Sequence, residues 1–210
     1  MKLASHNSLS YATPTKWYTK LINFTAQCQN IDIISQYEKG VRLFDIRVKR
    51  GNWGSGCLYN TNAAHGIVLY DMNIASVLYN LSCFATKEDP IYIMLSVENS
   101  KGFEDFAWFK RLYNTCKEDF DKLTFCGGYA KHPWRQIIFE DNTPTIEHKY
   151  WEFLNFTYTD TTKWGKVKLF FKNLFHFKPK YWAKKNNEQY KKEGTDKEFL
   201  MLDFVQYGQE

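Results

Sequence analysis

The chain has 210 residues, a formal net charge of +5 and 18% aromatic residues. That length fits one domain spanning residues 1–210, able to bury a sizeable core, and no segment approaches the apolar run of about 20 residues that a membrane-spanning helix needs. The five cysteines (Cys28, Cys57, Cys83, Cys116 and Cys126) are scattered without a CxxC pair, so the spacing indicates neither a zinc motif nor a redox motif.

Lys2–Ser5 reads as a short strand leading into a turn at His6. Lys16–Gln27 has helical apolar spacing through Trp17, Leu21, Ile22 and Phe24. Ile31–Lys39 predicts a second short helix, closed by Gly40 where a left-handed residue is wanted. Val41–Val48 alternates: Val41, Leu43, Asp45 and Arg47 share one face, and Arg42, Phe44, Ile46 and Val48 share the other. One face therefore meets apolar helices while the other ends in a polar site. A further strand ends at His65. Asn73 caps a helix running to Ala85, with Ile74, Val77, Leu78 and Leu81 on one stripe. Ile91–Val97 is a continuous apolar run, as in a buried parallel strand, with Glu98 at its end. Phe103–Lys117 follows as a helix. Strands are also expected at Lys122–Cys126, Gln136–Phe139, Trp151–Thr157 and Phe199–Val205.

About eight strands mostly separated by helices argue for an α/β fold of the parallel (β/α) barrel type, small or irregular at this length. Barrel enzymes carry their chemistry at the C-terminal strand ends. His6, Arg47, His65 and Glu98 all fall at or near such ends. Two histidines, an arginine and carboxylates suit phosphodiester cleavage. Histidine titrates near working pH and serves as base or acid. Arginine stays charged, and its planar fork matches phosphate oxygens.

Three motifs carry a resemblance: Ser5-His6-Asn7-Ser8, the strand from Gly40 to Val48 with Asp45 and Arg47, and Ala64-His65-Gly66. Together they resemble the X domain of phosphatidylinositol-specific phospholipase C, closer to the bacterial, metal-independent form. The resemblance runs over residues 3–100, fades over 101–195 and returns at 199–205. It implies a phosphodiesterase or lyase working through a cyclic phosphate, with His6 as general base and His65 as general acid. It further implies Arg47 in place of the calcium ion of eukaryotic relatives, Asp45 at a shared acidic position, and Asp203 as the partner that orients His6. Two departures point the other way. Asn7 and Glu98 resemble eukaryotic calcium ligands, so Asn7, Asp45 and Glu98 form an alternative Ca²⁺ ligand set. A positive Arg47 beside that ion favours a site without a metal cofactor. Glu98 is equally suited to neutralising Arg47, and an Asp45–Arg47 ion pair is a structural rival to a catalytic role. His132, His148 and His176 carry no motif context and read as ordinary.

The segment Trp164–Tyr181 interleaves lysine with large aromatics. Trp164, Lys166, Lys168 and Lys172 are candidates for contact with an anionic lipid surface, and a helix with solvated lysines explains them equally well. The expected partner is a phospholipid or another phosphodiester, with peripheral membrane contact and no particular nucleic acid. The first motif begins at Ser5, which leaves no room for a signal peptide and predicts a cytoplasmic location. The same machinery acting on a glycerophosphodiester, a cyclic nucleotide or an RNA-derived substrate is one competing function. A catalytically inactive lipid- or protein-binding barrel is another.

Overall fold

Among the described residues, strand–helix alternation places nine strands in one mixed sheet that curls into a half-barrel. The computed structural model describes residues 1–51, 58, 61–98, 103–132, 135–138, 144–149 and 178–208. The strands are β1 (Lys2–Ser5), β2 (Val41–Arg50), β3 (Thr61–His65), β4 (Val68–Tyr70), β5 (Tyr92–Val97), β6 (Thr124–His132), β7 (Arg135–Ile138), β8 (Ile146–His148) and β9 (Phe199–Leu202). The helices are α1 (Trp17–Ala26), α2 (Ile33–Glu38), α3 (Ile74–Phe84), α4 (Phe103–Asp119) and α5 (Pro179–Glu193).

Six strands run parallel in the order β6-β5-β2-β1-β9-β8. β7 adds antiparallel to β6, and the β3–β4 ribbon adds antiparallel to β2. The period-2 alternation sorts the core into two faces. Leu3, Phe44, Ile46, Val48, Ile93, Leu95, Leu200 and Leu202 belong to the large cluster that also holds the buried stripes of α3 and α4. Ala4, Leu43, Met94, Ile146, Phe199 and Met201 form a smaller cluster on the opposite parity.

Local signals explain most boundaries. Asp32 caps α2 by accepting from Ile34 N and Ser35 N, each at 3.0 Å. Gly40 follows with φ +86°, a left-handed conformation that glycine adopts without strain. Asn73 caps α3 by accepting from Ser76 N at 3.1 Å, as its position predicts. Helix α5 and strands β4 and β8 have no counterpart among the sequence expectations, although Pro179 at the first turn and Gly194 at the end of α5 are ordinary helix punctuation. The strand expected at Trp151–Thr157 lies outside the described residues.

The helix expected over Lys16–Gln27 is present as α1. The apolar residues of α1 do not form a core stripe: Trp17 is 75% exposed and Leu21 67%, with Tyr18, Ile22 and Phe24 also exposed. The amphipathic spacing is real, but its apolar face points to solvent.

Candidate functional site

Parity brings the site together. His6 lies two residues beyond Ala4, Asp45 and Arg47 two and four beyond Leu43, Glu98 four beyond Met94, and Asp203 two beyond Met201. Each thus continues the face of the smaller cluster at the C-terminal end of a parallel strand. Register levels them: Ser5 pairs with both Phe44 and Leu202, and His6 N donates to Leu202 O at 3.1 Å.

His6 is the centre and is buried. Its Nδ1 lies 2.7 Å from Asp203 Oδ1, and its Nε2 lies 2.8 Å from Arg47 Nη2. A carboxylate on one nitrogen and a guanidinium on the other fix the neutral tautomer, with Nδ1–H donating to Asp203 and the Nε2 lone pair facing Arg47. Burial, then the Arg47 charge, holds the His6 pKa well below its ordinary value, against the opposing pull of Asp45.

Arg47 donates from Nε to Asp45 Oδ2 at 2.8 Å and from Nη1 to Glu98 Oε1 at 2.9 Å. Burial alone would lower its pKa, but the Asp45 and Glu98 carboxylates outweigh that and raise it, so the guanidinium stays charged. Asp45 is fully buried and also accepts from Asn7 N at 3.1 Å. Among the described residues, the buried Asn7 Nδ2, Asp45 Oδ1 and Ser96 Oγ have no hydrogen-bond partner. Such orphans cost roughly 1–3 kcal/mol each and draw attention to a functional site.

His65 approaches from the end of β3, where Gly66 (φ +58°) makes the turn. Its ring meets His6 edge-on, centroids 5.8 Å apart, and Nδ1 donates to Ala26 O at 2.7 Å. All seven candidates His6, Asn7, Asp45, Arg47, His65, Glu98 and Asp203 therefore converge. Trp164, Lys166, Lys168 and Lys172 lie outside the described residues.

Three nearby residues escaped the sequence reading. His148 ends β8 two residues beyond Ile146, so it shares the site face; burial lowers its pKa, and the Asp45 and Arg47 charges reach it. Its strand of three residues is too short for a periodic signal. Gln29 is fully buried and ties the site strands together. Its Nε2 donates to His6 O and Leu202 O at 3.2 and 3.0 Å, and its Oε1 accepts from Val205 N at 3.2 Å. Cys28 places its Sγ 3.8 Å from His65 Nδ1.

Neither a family model nor a curated protein sequence matches the chain. Solved structures do. The phosphatidylinositol-specific phospholipase C from Listeria monocytogenes superposes with a TM-score of 0.57 at 16% identity, over 97% of this chain and 88% of that one. A point mutant of the Staphylococcus aureus phosphatidylinositol-specific phospholipase C gives 0.57 at 17% identity, over 98% of this chain and 85% of that one. A second variant of the Staphylococcus enzyme gives 0.56 at 16% identity. At these identities the likeness establishes the fold. No helix among the described residues is long and apolar enough to cross a membrane.

Proposed function

We propose that this chain is a phosphodiesterase of the phosphatidylinositol-specific phospholipase C type, cleaving its substrate through a cyclic phosphate. The observation that carries the reading is His6 held between Asp203 Oδ1 at 2.7 Å and Arg47 Nη2 at 2.8 Å. A base oriented by a carboxylate and abutting a phosphate-binding cation is what internal attack on a phosphodiester requires.

In this reading the substrate hydroxyl displaces Arg47 from His6 Nε2 and gives up its proton there. The resulting imidazolium is stabilised by Asp203 through Nδ1–H. Arg47, still anchored by Asp45 and Glu98, turns its free edge to the phosphate oxygens and stabilises the charge that develops. His65 in its protonated form gives a proton from Nε2 to the leaving oxygen, while its Nδ1–H stays on Ala26 O. The O–P bond to the attacking hydroxyl forms as the bond to the leaving group breaks, and the product is a five-membered cyclic phosphate.

The reading is independent of a metal ion. Asn7, Asp45 and Glu98 are the available oxygen donors, but the Arg47 guanidinium bridges both carboxylates. Calcium bound through these oxygens would have to compete with Arg47 for both carboxylates, so these residues do not fit it.

A lipid interface suits the exposed face of α1. Trp17, Leu21 and Phe24 project from it, and Lys16 and Lys178 stand 5.7 and 5.2 Å over the Tyr18 and Phe24 rings. Apolar side chains ringed by lysines are the composition of a surface that dips into anionic headgroups.

The test is turnover of a soluble chromogenic inositol phosphodiester in EDTA. Wild type turns over, and His6→Ala and His65→Ala each lower the rate by about 10²–10⁴-fold with the fold intact. Rates unchanged by either substitution would overturn the reading.

A further inference from the structure

Cys28 is a buried thiol at the site for which acid–base chemistry has no use. One ligand atom each from His6, Cys28 and His65 lie within 4.8 Å of one another. We propose that these three residues form a binding site for a soft divalent transition metal of the Zn²⁺ class, and that its occupation disables the acid–base pair.

Two imidazoles and a thiolate match the ligand preference of such ions. Metal–nitrogen distances of about 2.1 Å and metal–sulfur distances of about 2.3 Å put tetrahedral ligand atoms roughly 3.3–3.7 Å apart. The three groups therefore need to close by at most about 1.5 Å, within the reach of side-chain rotations. More telling is the shell behind the donors. His6 gives its Nδ1–H to Asp203 and His65 gives its Nδ1–H to Ala26 O, each at 2.7 Å. Metal-ligating histidines are held in this way and bind through the other ring nitrogen, so the Cys28 Sγ, which lies 3.8 Å from His65 Nδ1, has to turn toward the Nε2 side. The support that prepares the pair for proton transfer thus also prepares it to ligate.

Binding displaces Arg47 from His6 Nε2, and Arg47 keeps Asp45 and Glu98. The thiol proton leaves to solvent as the sulfur–metal bond forms, together with any proton carried on His65 Nε2, and no electron moves. Burial pushes the Cys28 thiol pKa up, which leaves it inert toward alkylating agents until a cation takes the proton's place. Inhibition rests on the phosphodiesterase reading; metal binding does not.

The experiment is a Co²⁺ titration of chelator-free protein, followed by absorption, with Zn²⁺ as competitor. A near-ultraviolet thiolate-to-cobalt band that saturates at one ion per chain is expected, with visible bands of a four-coordinate ion, all abolished by Zn²⁺. Cys28→Ala removes the band, and His65→Gln weakens cobalt binding by about 100-fold. Cys28→Ser and His65→Gln carry the test if the alanine variant does not fold. Absence of the band in wild type, or a band unchanged in the Cys28 variants, would overturn the proposal. In an enzymatically silent protein the band still reports on the site, so the two proposals fail separately. Where activity is present, Zn²⁺ inhibits wild type about 100-fold more tightly than the Cys28 variant.

Discussion

Asn7 and Phe204 hold the same left-handed backbone conformation, φ 44° and 47°, and each directly follows a member of the His6–Asp203 hydrogen-bonded pair. They are the non-glycine residues of positive φ among the described residues. The chain thus turns sharply as soon as each side chain has been delivered. Packing over-determines Phe204, which is buried and stacks on Tyr207, and backbone strain concentrated at one constellation is characteristic of functional sites.

The strain is separable from chemistry at Asn7. Asparagine tolerates the left-handed region and alanine does not, at a cost of about 1–2 kcal/mol. Asn7→Ala is expected to lose about that much stability in urea denaturation, and Asn7→Gly to lose clearly less. Equal losses would show that the side chain, rather than the backbone conformation, matters there.

Acid should unfold the chain for a reason located in the site. Burial holds the His6 and His148 pKa values below the ordinary 6.5. Below that pH the unfolded chain takes up protons that the folded chain refuses, so stability falls as pH drops through about 6.5 and keeps falling until the folded-state pKa values are reached. Urea midpoints between about pH 7.5 and about pH 5.5 measure this, and His6→Gln should flatten the dependence. A midpoint that rises toward acid would contradict the burial of these imidazoles.

Part of the site was legible because strand parity is a strict code: Asp45 and Arg47 stand two residues apart on one strand, so their common face follows from spacing. His6, His65 and Asp203 were legible only through the motifs that resemble the phospholipase C X domain, because spacing within one strand says nothing of how strands align with one another. What escaped had no periodic signal to read. Cys28 and Gln29 lie in the connection between α1 and α2, and His148 on a three-residue strand. For α1 the spacing predicts a helix but not the way it faces: apolar residues at helical spacing normally mark a buried stripe, and here they build an exposed face.

That exposed face gives a prediction of its own. Burying Trp17 and Leu21 in a membrane interface is worth roughly 1.5–3 kcal/mol each at full insertion. Trp17→Ala combined with Leu21→Ala should weaken binding to anionic phosphatidylinositol vesicles by at least about ten-fold. Turnover on vesicles should fall far more than turnover on a soluble substrate. Parallel losses on both substrates would place α1 in the fold of the site rather than at a lipid surface.

The most direct test is phosphorus-31 NMR of phosphatidylinositol dispersed in detergent, mixed with the purified protein in EDTA. A cyclic phosphate resonance that grows in for wild type, and is lost when Arg47 is replaced by Lys, is the predicted result. Lysine keeps the charge but cannot span Asp45, Glu98 and a phosphate with one planar fork. Absence of the cyclic product in EDTA with its appearance on addition of calcium would contradict the account, because it would hand the charge-stabilising role from Arg47 to a metal.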